Sequence, residues 1–350
     1  MDTQQPKSQT SILKLVIGLL VMGFVGYYFF SSYKNSDDQV VVAISQIIEH
    51  DSLDQERKGI VKALADAGYV EGKNLKLVYE NAQGSMSTLA QVATKLVSLR
   101  PNVVVAISTP SAQSLAKLCQ KYKIPMVFTA VTNPKAAKLT AGDANKYITG
   151  VSDYIKPEKH FELMKHIVPE LKKVGIIYNA GEANSVAQVV EIKQEAKKQG
   201  IELVIATAMR TGDVSAAAEK LVGAHVDCIY IPNDNTTVAA MESVVRVAIK
   251  GYVDENNNKL SIPVIAGDSG SVNKGALATV GYRRDMLGYK AGKQVVRILK
   301  GESANMIPIE EGAEIVHMIN VDTAELMNLS ISPAIMLGAV LVKREDVASS

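Results

Sequence analysis

Polar side chains follow the apolar, strand-like runs of this sequence, and their types suit the binding of a small charged molecule. The clearest case is the segment STPSAQ, which follows the run VVVAI and begins at Ser108. Thr109 can cap a helix that starts there, and Pro110 suits its first position. Free backbone N–H groups and the helix dipole at such an end favour a bound carboxylate. Capping alone would also account for Thr109 and Ser111, so both interpretations stay open.

Amides, hydroxyls and carboxylates follow the other apolar runs in the same way. These residues are Thr132, Asn133, Asn179, Asn184, Asn233, Asp234, Asn235 and Asp268. Each of them alone is an ordinary cap or turn residue. In open parallel sheets, however, ligands bind beyond the carboxyl ends of the strands. Together the residues predict a site that captures a carboxylate on one sheet, with Asp234 or Asp268 available for an ammonium group, as a zwitterion requires.

The motifs of common enzyme classes are missing from the sequence. It contains no GxGxxG, GxxxxGK[ST], HExxH or GxSxG pattern. Cys119 falls inside a predicted helix, which argues against a catalytic thiol, and His160 and His166 lie on different faces of another. His50 could reach a cleft, but a surface histidine fits equally well. We therefore predict no enzymatic activity, no cofactor and no metal site.

Apolar runs of strand length alternate with segments of helical periodicity from residue 40 onward. VVVAIS occurs twice, at residues 40–45 and 103–108, and a second series of strands and helices begins near Gly150. Continuous Val- and Ile-rich strands separated by helices predict parallel sheets that are covered on both faces. Two such series predict an α/β fold with two doubly wound lobes.

Length, charge and cysteine content narrow the class of protein. The chain has 350 residues, more than one core usually organises, which favours two domains. Its 38 basic and 36 acidic residues give a net charge of +2, so nothing indicates a nucleic-acid partner. Cys119 and Cys228 lie in apolar surroundings and are interpreted as small buried hydrophobes, with a disulfide between them left open.

Residues 12–30 form an apolar stretch, ILKLVIGLLVMGFVGYYFF, with the single charge of Lys14. Such a helix would span roughly 28 Å, close to the hydrocarbon thickness of a bilayer. We expect a transmembrane anchor here, between a cytoplasmic tail (residues 1–11) and a linker (residues 31–39). A cleaved signal peptide is the alternative. Under either interpretation the remaining residues are expected outside the cytoplasm.

Several segments, in order, resemble a known family. SQIIEHDSLDQERKGIVKALADAGYVEGKNLKLVYENAQG at residues 45–84 is similar to the opening of the ABC transporter substrate-binding family that includes tryptophan- and tyrosine-binding proteins. AISTPSAQ, IPMVFTAVTNP, ITGVSD, KKVGIIYNAGEANS and VDCIYIPNDNT follow in the same order. The resemblance runs from about Val40 to the C-terminus.

The resemblance implies a type I periplasmic-binding-protein fold, with three hinge crossings and a ligand in the cleft between two lobes. The first lobe would comprise residues 40–150 plus about 283–305, and the second residues 151–282 plus about 306–350. The implied ligand is an aromatic amino acid or a related molecule, and the implied partners are an ABC permease and ATPase of a bacterial inner membrane. The implied ligand contacts are Gln46, Ser108, Thr109, Ser111, Thr132, Asn184, Asn235 and Asp268.

Two features depart from the family's pattern. Asn133 stands where the family often has Asp, which removes a carboxylate near the cleft. Family members are commonly lipoproteins or cleaved secreted proteins, whereas this chain is expected to keep a transmembrane helix. Such an anchor would also suit a membrane-tethered sensor, which is the first alternative to transport. A doubly wound enzyme is the second alternative.

The expected mechanism is closure of the cleft. Two lobes would move about short hinge strands, and the ligand would favour the closed state by contacting both. The apolar part of an aromatic ligand would need a partly apolar, aromatic-lined cavity. The candidate aromatic residues are Phe128, Tyr154, Tyr178, Tyr230 and Tyr282, with core packing as the alternative for each.

Overall fold

The computed structural model describes residues 39–140, 146–312 and 314–343. The expected cytoplasmic tail and membrane anchor, residues 1–30, lie outside this part of the chain. Among the described residues, no helix has both the length and the apolar character needed to cross a bilayer.

The first sheet has six strands, all paired in parallel. In chain order they are β1 (Val40–Gln46), β2 (Leu75–Asn81), β3 (Val103–Ile107), β4 (Met126–Val131), β5 (Ile148–Ser152) and β13 (Glu310–Glu311). Their spatial order is β13-β5-β4-β3-β1-β2. The central strands are buried on both faces, as their uninterrupted Val and Ile content requires.

Four helices cover this sheet, two on each face. They are α1 (Asp51–Asp66), α2 (Met86–Ser98), α3 (Thr109–Tyr122) and α10 (Arg284–Leu299). Successive side chains of β1 point to opposite faces of the sheet, so the core has two parts. On one face, Val42 and Ile44 pack with Ile60 of α1 and Ala291 of α10. Ala43, between them, packs on the other face with residues of α2 and α3.

The second sheet has seven strands in the order β15-β14-β12-β11-β8-β6-β7. In chain order they are β6 (Lys173–Tyr178), β7 (Glu202–Thr207), β8 (Cys228–Ile231), β11 (Val264–Ala266), β12 (Ala278–Tyr282), β14 (Ile315–Asn320) and β15 (Val340–Val342). The accompanying helices are α4 (Pro157–Ile167), α5 (Ala183–Gln199), α6 (Val214–Gly223), α7 (Asn235–Ala239), α8 (Met241–Lys250), α9 (Gly270–Asn273), α11 (Val321–Leu326) and α12 (Pro333–Met336). A separate hairpin pairs β9 (Tyr252–Val253) with β10 (Lys259–Leu260).

The predicted α/β fold with parallel sheets is confirmed, with one correction. β12 and β14 pair antiparallel, whereas the sequence predicted parallel strands throughout. The reason is connectivity: β14 enters the second sheet directly from β13 in the first, without the crossover helix that joins parallel neighbours. The chain therefore passes between the sheets three times, after β5, after β12 and after β13.

Candidate functional site

A small cavity, about 20 Å³ in volume, lies where the carboxyl ends of the two sheets meet. Its lining comes from the segments that follow β1, β4 and β5 of the first sheet and β6, β8, β11 and β12 of the second. The lining residues are His50, Ser52, Leu53, Ala130, Thr132, Asp153, Asn184, Asn233, Asp234, Asn235, Val238, Asp268 and Arg284. The cavity thus occupies the position at which parallel sheets bind ligands.

A wider groove of about 440 Å³ shares His50, Ser52 and Val238 with this cavity. It runs between the N-terminal end of α1 and the segment from α7 to α9. Its charged lining residues are Glu49, Asp51, Asp54, Glu242, Arg246 and Lys274. Lys274 Nζ lies 3.3 Å from Glu242 Oε1. The groove is large enough for an amino acid, whereas the inner cavity has room for about one water molecule.

Direct hydrogen bonds join the two halves beside the cavity. Ser52 Oγ at the start of α1 donates to Asp268 Oδ1, which follows β11. Asn273 Nδ2 of α9 donates to Asp51 Oδ2 at 3.0 Å. Asn233 Nδ2 donates to Thr132 Oγ1 at 3.3 Å. These three contacts hold the strand ends of the two sheets against each other.

A buried cluster of charges stands at the back of the cavity. Arg284 Nη1 donates to Asp153 Oδ2 at 2.7 Å and to Glu56 Oε1 at 2.9 Å. Thr129 Oγ1 donates to the other Glu56 oxygen at 2.5 Å. Burial raises the pKa of Glu56 to about 7, since the charge of Arg284 offsets only part of that effect and Asp153 adds to it. Burial lowers the pKa of His50, and the charge of Asp268 opposes this shift while that of Arg284 adds to it.

Glu56 is expected to make the stability of the protein fall as pH rises. Between pH 4.5, where an unfolded chain releases this proton, and pH 7, the folded protein still binds it, so the free energy of unfolding decreases. Glu56→Gln removes the titrating group. Relative to wild type, the variant should therefore gain up to roughly 3 kcal/mol between pH 5 and pH 8 in denaturant unfolding. The exposed Glu71→Gln is the control, and a pH-independent difference for Glu56→Gln would contradict the assignment.

The aspartates that the sequence offered to an ammonium group already accept hydrogen bonds on both oxygens. Asp234 accepts from the backbone N–H of Asn179 and of Thr237 and from Ser185 Oγ, at 2.6 to 2.7 Å. Asp268 accepts from Ser52 Oγ, from the N–H of Ser271 and from its hydroxyl. Both carboxylates thus hold protein groups in place in this structure.

The eight predicted contact residues divide into two groups. Thr132, Asn184, Asn235 and Asp268 line the cavity, whereas the others do not. Gln46 Nε2 donates to Asp54 Oδ1 at 2.9 Å, and Ser108 Oγ donates to Ser111 Oγ at 3.3 Å. Thr109 is buried, and its hydroxyl has no hydrogen-bond partner. The predicted carboxylate-binding helix end, α3, therefore lies outside the cavity lining.

None of the five candidate aromatic residues lines the cavity. Phe128 and Tyr230 are fully buried in the core, and Tyr230 packs against His160 with ring centroids 5.1 Å apart. Tyr154 donates its hydroxyl to Glu191 at 2.9 Å. Core packing thus accounts for Phe128 and Tyr230. Cys119 and Cys228 are also buried and are not bonded to each other.

Sequence reasoning missed four polar residues of the site: Ser52, Glu56, Asp153 and Arg284. Asp153 directly follows a strand-like run, so the strand-end rule could have included it. Glu56 and Arg284 lie within helical segments, and no local pattern distinguishes them from the solvated charges of such helices. Only their burial in the folded chain does so.

Several polar atoms around the cavity are buried without a hydrogen-bond partner. They are Arg284 Nε, Asp153 Oδ1, Asn184 Oδ1 and both ring nitrogens of His50. Buried polar groups in folded proteins are nearly always paired, so a concentration of unpaired ones at one place indicates a site that a ligand or solvent completes. Among the described residues, no cluster of three or more His, Cys, Asp or Glu side chains could hold a metal ion.

The chain matches the model of the ABC transporter substrate binding protein family over residues 41–343. It belongs to this family. A tyrosine-binding protein of Clostridioides difficile is 37% identical over 332 residues, covering 90% of this chain and 93% of that protein. The family's structures are solute-binding proteins of the type I periplasmic-binding fold, as the resemblance implied.

Two solved structures differ in how well they match. The structure of an ABC domain from Streptococcus pneumonia in complex with L-Trp is 28% identical, with a TM-score of 0.77, over 87% of this chain and 100% of its own. The ligand-free, open structure of a substrate binding protein with adhesive properties from Clostridium difficile is 34% identical, yet its TM-score is only 0.63, over 87% and 99%. The present structure is thus more similar to the ligand-bound relative than to the open one.

Proposed function

We propose that this protein is the solute-binding component of an ABC-type importer and that it binds an aromatic amino acid between two closing lobes. The two sheets, with their covering helices, would form the lobes, and the three chain passages between them would form the hinge. The expected anchor would keep the lobes on the outer side of the bacterial inner membrane, beside a permease and an ATPase. No covalent chemistry is needed for this role.

The observation that carries the proposal is the set of unpaired polar atoms around the cavity. Arg284 and Asp153 offer donors and an acceptor of opposite charge within one small space, as a zwitterion requires. The L-Trp complex and the tyrosine-binding relative support an aromatic amino acid as the ligand. The cavity lining itself has apolar contributions from Leu53, Ala130 and Val238.

Ligand entry requires the two halves to separate. An amino acid exceeds the 20 Å³ cavity and would extend into the adjoining 440 Å³ groove, and the contacts of Ser52 with Asp268 and of Asp51 with Asn273 must open to admit it. After entry, a ligand that touches both halves stabilises the closed arrangement by its differential affinity for the two states. The greater similarity to the L-Trp complex than to the open relative fits a closed arrangement here.

The full-length protein is expected to bind L-tyrosine or L-tryptophan in calorimetry and to be stabilised by it. At 100 times the dissociation constant, the ligand should add about 2.7 kcal/mol to the free energy of unfolding. Asn235→Ala, at the cavity, should weaken binding by about tenfold because a hydrogen-bonding group is lost. The exposed Asn305→Ala is the matched control. Absence of binding to every aromatic amino acid would overturn the proposal.

A further inference from the structure

Only some of the N–H groups of the Arg284 guanidinium are hydrogen-bonded within the protein. Both N–H groups of Nη1 are directed to protein carboxylates, those of Glu56 and Asp153. Nη2 has only a long contact, 3.5 Å, with Asn233 Oδ1, and Nε has no partner although it is buried. In a planar guanidinium, Nε–H and one N–H of Nη2 point in the same direction and form the edge that binds a carboxylate through two hydrogen bonds.

This open edge belongs to a residue in the cavity lining. Arg284 is 4% exposed and is the only Lys or Arg among the residues that line the described cavity. A buried guanidinium stays charged, so an unpaired pair of donors on it is costly unless an anion completes it. Its two protein carboxylates occupy the opposite side, which leaves the Nε–Nη2 edge for a further partner.

Asp153 provides the complementary acceptor. Its Oδ2 accepts from Arg284 Nη1 and, at 3.1 Å, from Asn233 Nδ2, whereas its Oδ1 is buried without a partner. Both oxygens of Asp234 and of Asp268 are occupied by protein donors. Among the carboxylates that line the cavity, Asp153 therefore has the oxygen that is available to a cation.

We propose that the Nε–Nη2 edge of Arg284 binds the carboxylate of the amino acid and that Oδ1 of Asp153 binds its ammonium group. This inference rests on the proposed function and adds the residues that recognise the two charges. Asp153 follows β5 and Arg284 begins α10, so each lies beside a passage of the chain between the two sheets. The charged end of the ligand would thus be held at the hinge, and its side chain would point toward the outer groove.

Calorimetry with three related ligands tests both assignments on the full-length protein. L-tyrosine carries both charges, tyramine lacks the carboxylate, and 3-(4-hydroxyphenyl)propionate lacks the ammonium group. Arg284→Lys keeps the buried charge but loses the two-pronged edge, so affinity for L-tyrosine should fall about 10- to 100-fold while affinity for tyramine is unchanged. Asp153→Asn should lower affinity for L-tyrosine similarly and leave that for the propionate unchanged.

Arg283→Lys is the matched control, because the adjacent Arg283 is exposed and paired with Asp285. Denaturant unfolding of each unliganded variant identifies loss of folding. If Arg284→Lys weakened L-tyrosine and tyramine equally, or weakened neither, the carboxylate assignment would be wrong although the proposed function stood. If the wild type bound no amino acid, the proposed function and this inference would both fail.

Discussion

Gly288→Ala is expected to lower the free energy of unfolding by about 2 kcal/mol or more. Helices α1 and α10 pack closely along the first sheet. A Cβ at Gly288 would lie 1.9 Å from the backbone oxygen of Glu56. Because that oxygen belongs to the opposing helix backbone, no side-chain rotation relieves the clash and one helix must shift.

The reciprocal position provides an independent check on this helix contact. A Cβ at Gly59 would lie 2.1 Å from the backbone oxygen of Asp285, so Gly59→Ala should be destabilising for the same reason. Gly223→Ala is the control, since a Cβ there meets nothing within 4 Å and alanine favours the helix by up to about 1 kcal/mol. Denaturant unfolding measures all three. Equal stabilities for Gly288→Ala and Gly223→Ala would show that the helices are not this close.

Gly270→Ala is expected to weaken binding of L-tyrosine by about 10- to 100-fold without unfolding the protein. A Cβ at Gly270, in α9, would lie 2.3 Å from Ser52 Oγ and 2.8 Å from the backbone nitrogen of Ser52. The hydroxyl could rotate away, but the backbone of α1 could not, so the two halves could not approach as they do here. If the clash makes the closed state less populated, the apparent affinity for the ligand falls by the same factor.

This effect on binding can be distinguished from a general loss of stability, because the clash exists only in the closed arrangement of the two halves. Opened halves would not bring Gly270 against Ser52, so the unliganded variant should keep its free energy of unfolding within about 1 kcal/mol of wild type. Small-angle scattering should show a more open unliganded form. Gly212→Ala is the control, because a Cβ at Gly212 meets nothing within 4 Å. Wild-type affinity in Gly270→Ala would mean that ligand binding does not require this approach.

The site shows which kinds of residue local pattern can predict. Thr132, Asn184, Asn235 and Asp268 were predicted because each follows an apolar run, and parallel strands bring their carboxyl ends to one edge. Ser108 and Thr109 satisfy the same rule, yet they lie outside the cavity lining. The rule identifies the edge of a sheet, but it does not say which strand ends face the second sheet.

The aromatic candidates show that local pattern does not distinguish a residue of the core from a residue that contacts a ligand. Phe128 and Tyr230 occur in apolar runs that could equally border a ligand or fill a core, and the structure places both in the core. Glu56 and Arg284 show the converse, because a charged residue in a helical segment is usually solvated. Here each buried charge is accommodated by the other and by Asp153.

The α/β class, the alternation of strands and helices and the strand ends at which a site would form could all be predicted from the amino-acid sequence. These follow from periodicity and from turn residues, which depend on neighbours a few positions apart. The folded chain alone reveals the antiparallel pairing of β14, the contact of α10 with α1 and the cluster of Glu56, Asp153 and Arg284. Those depend on residues as many as 228 positions apart, and no local pattern records which distant segments share a buried space.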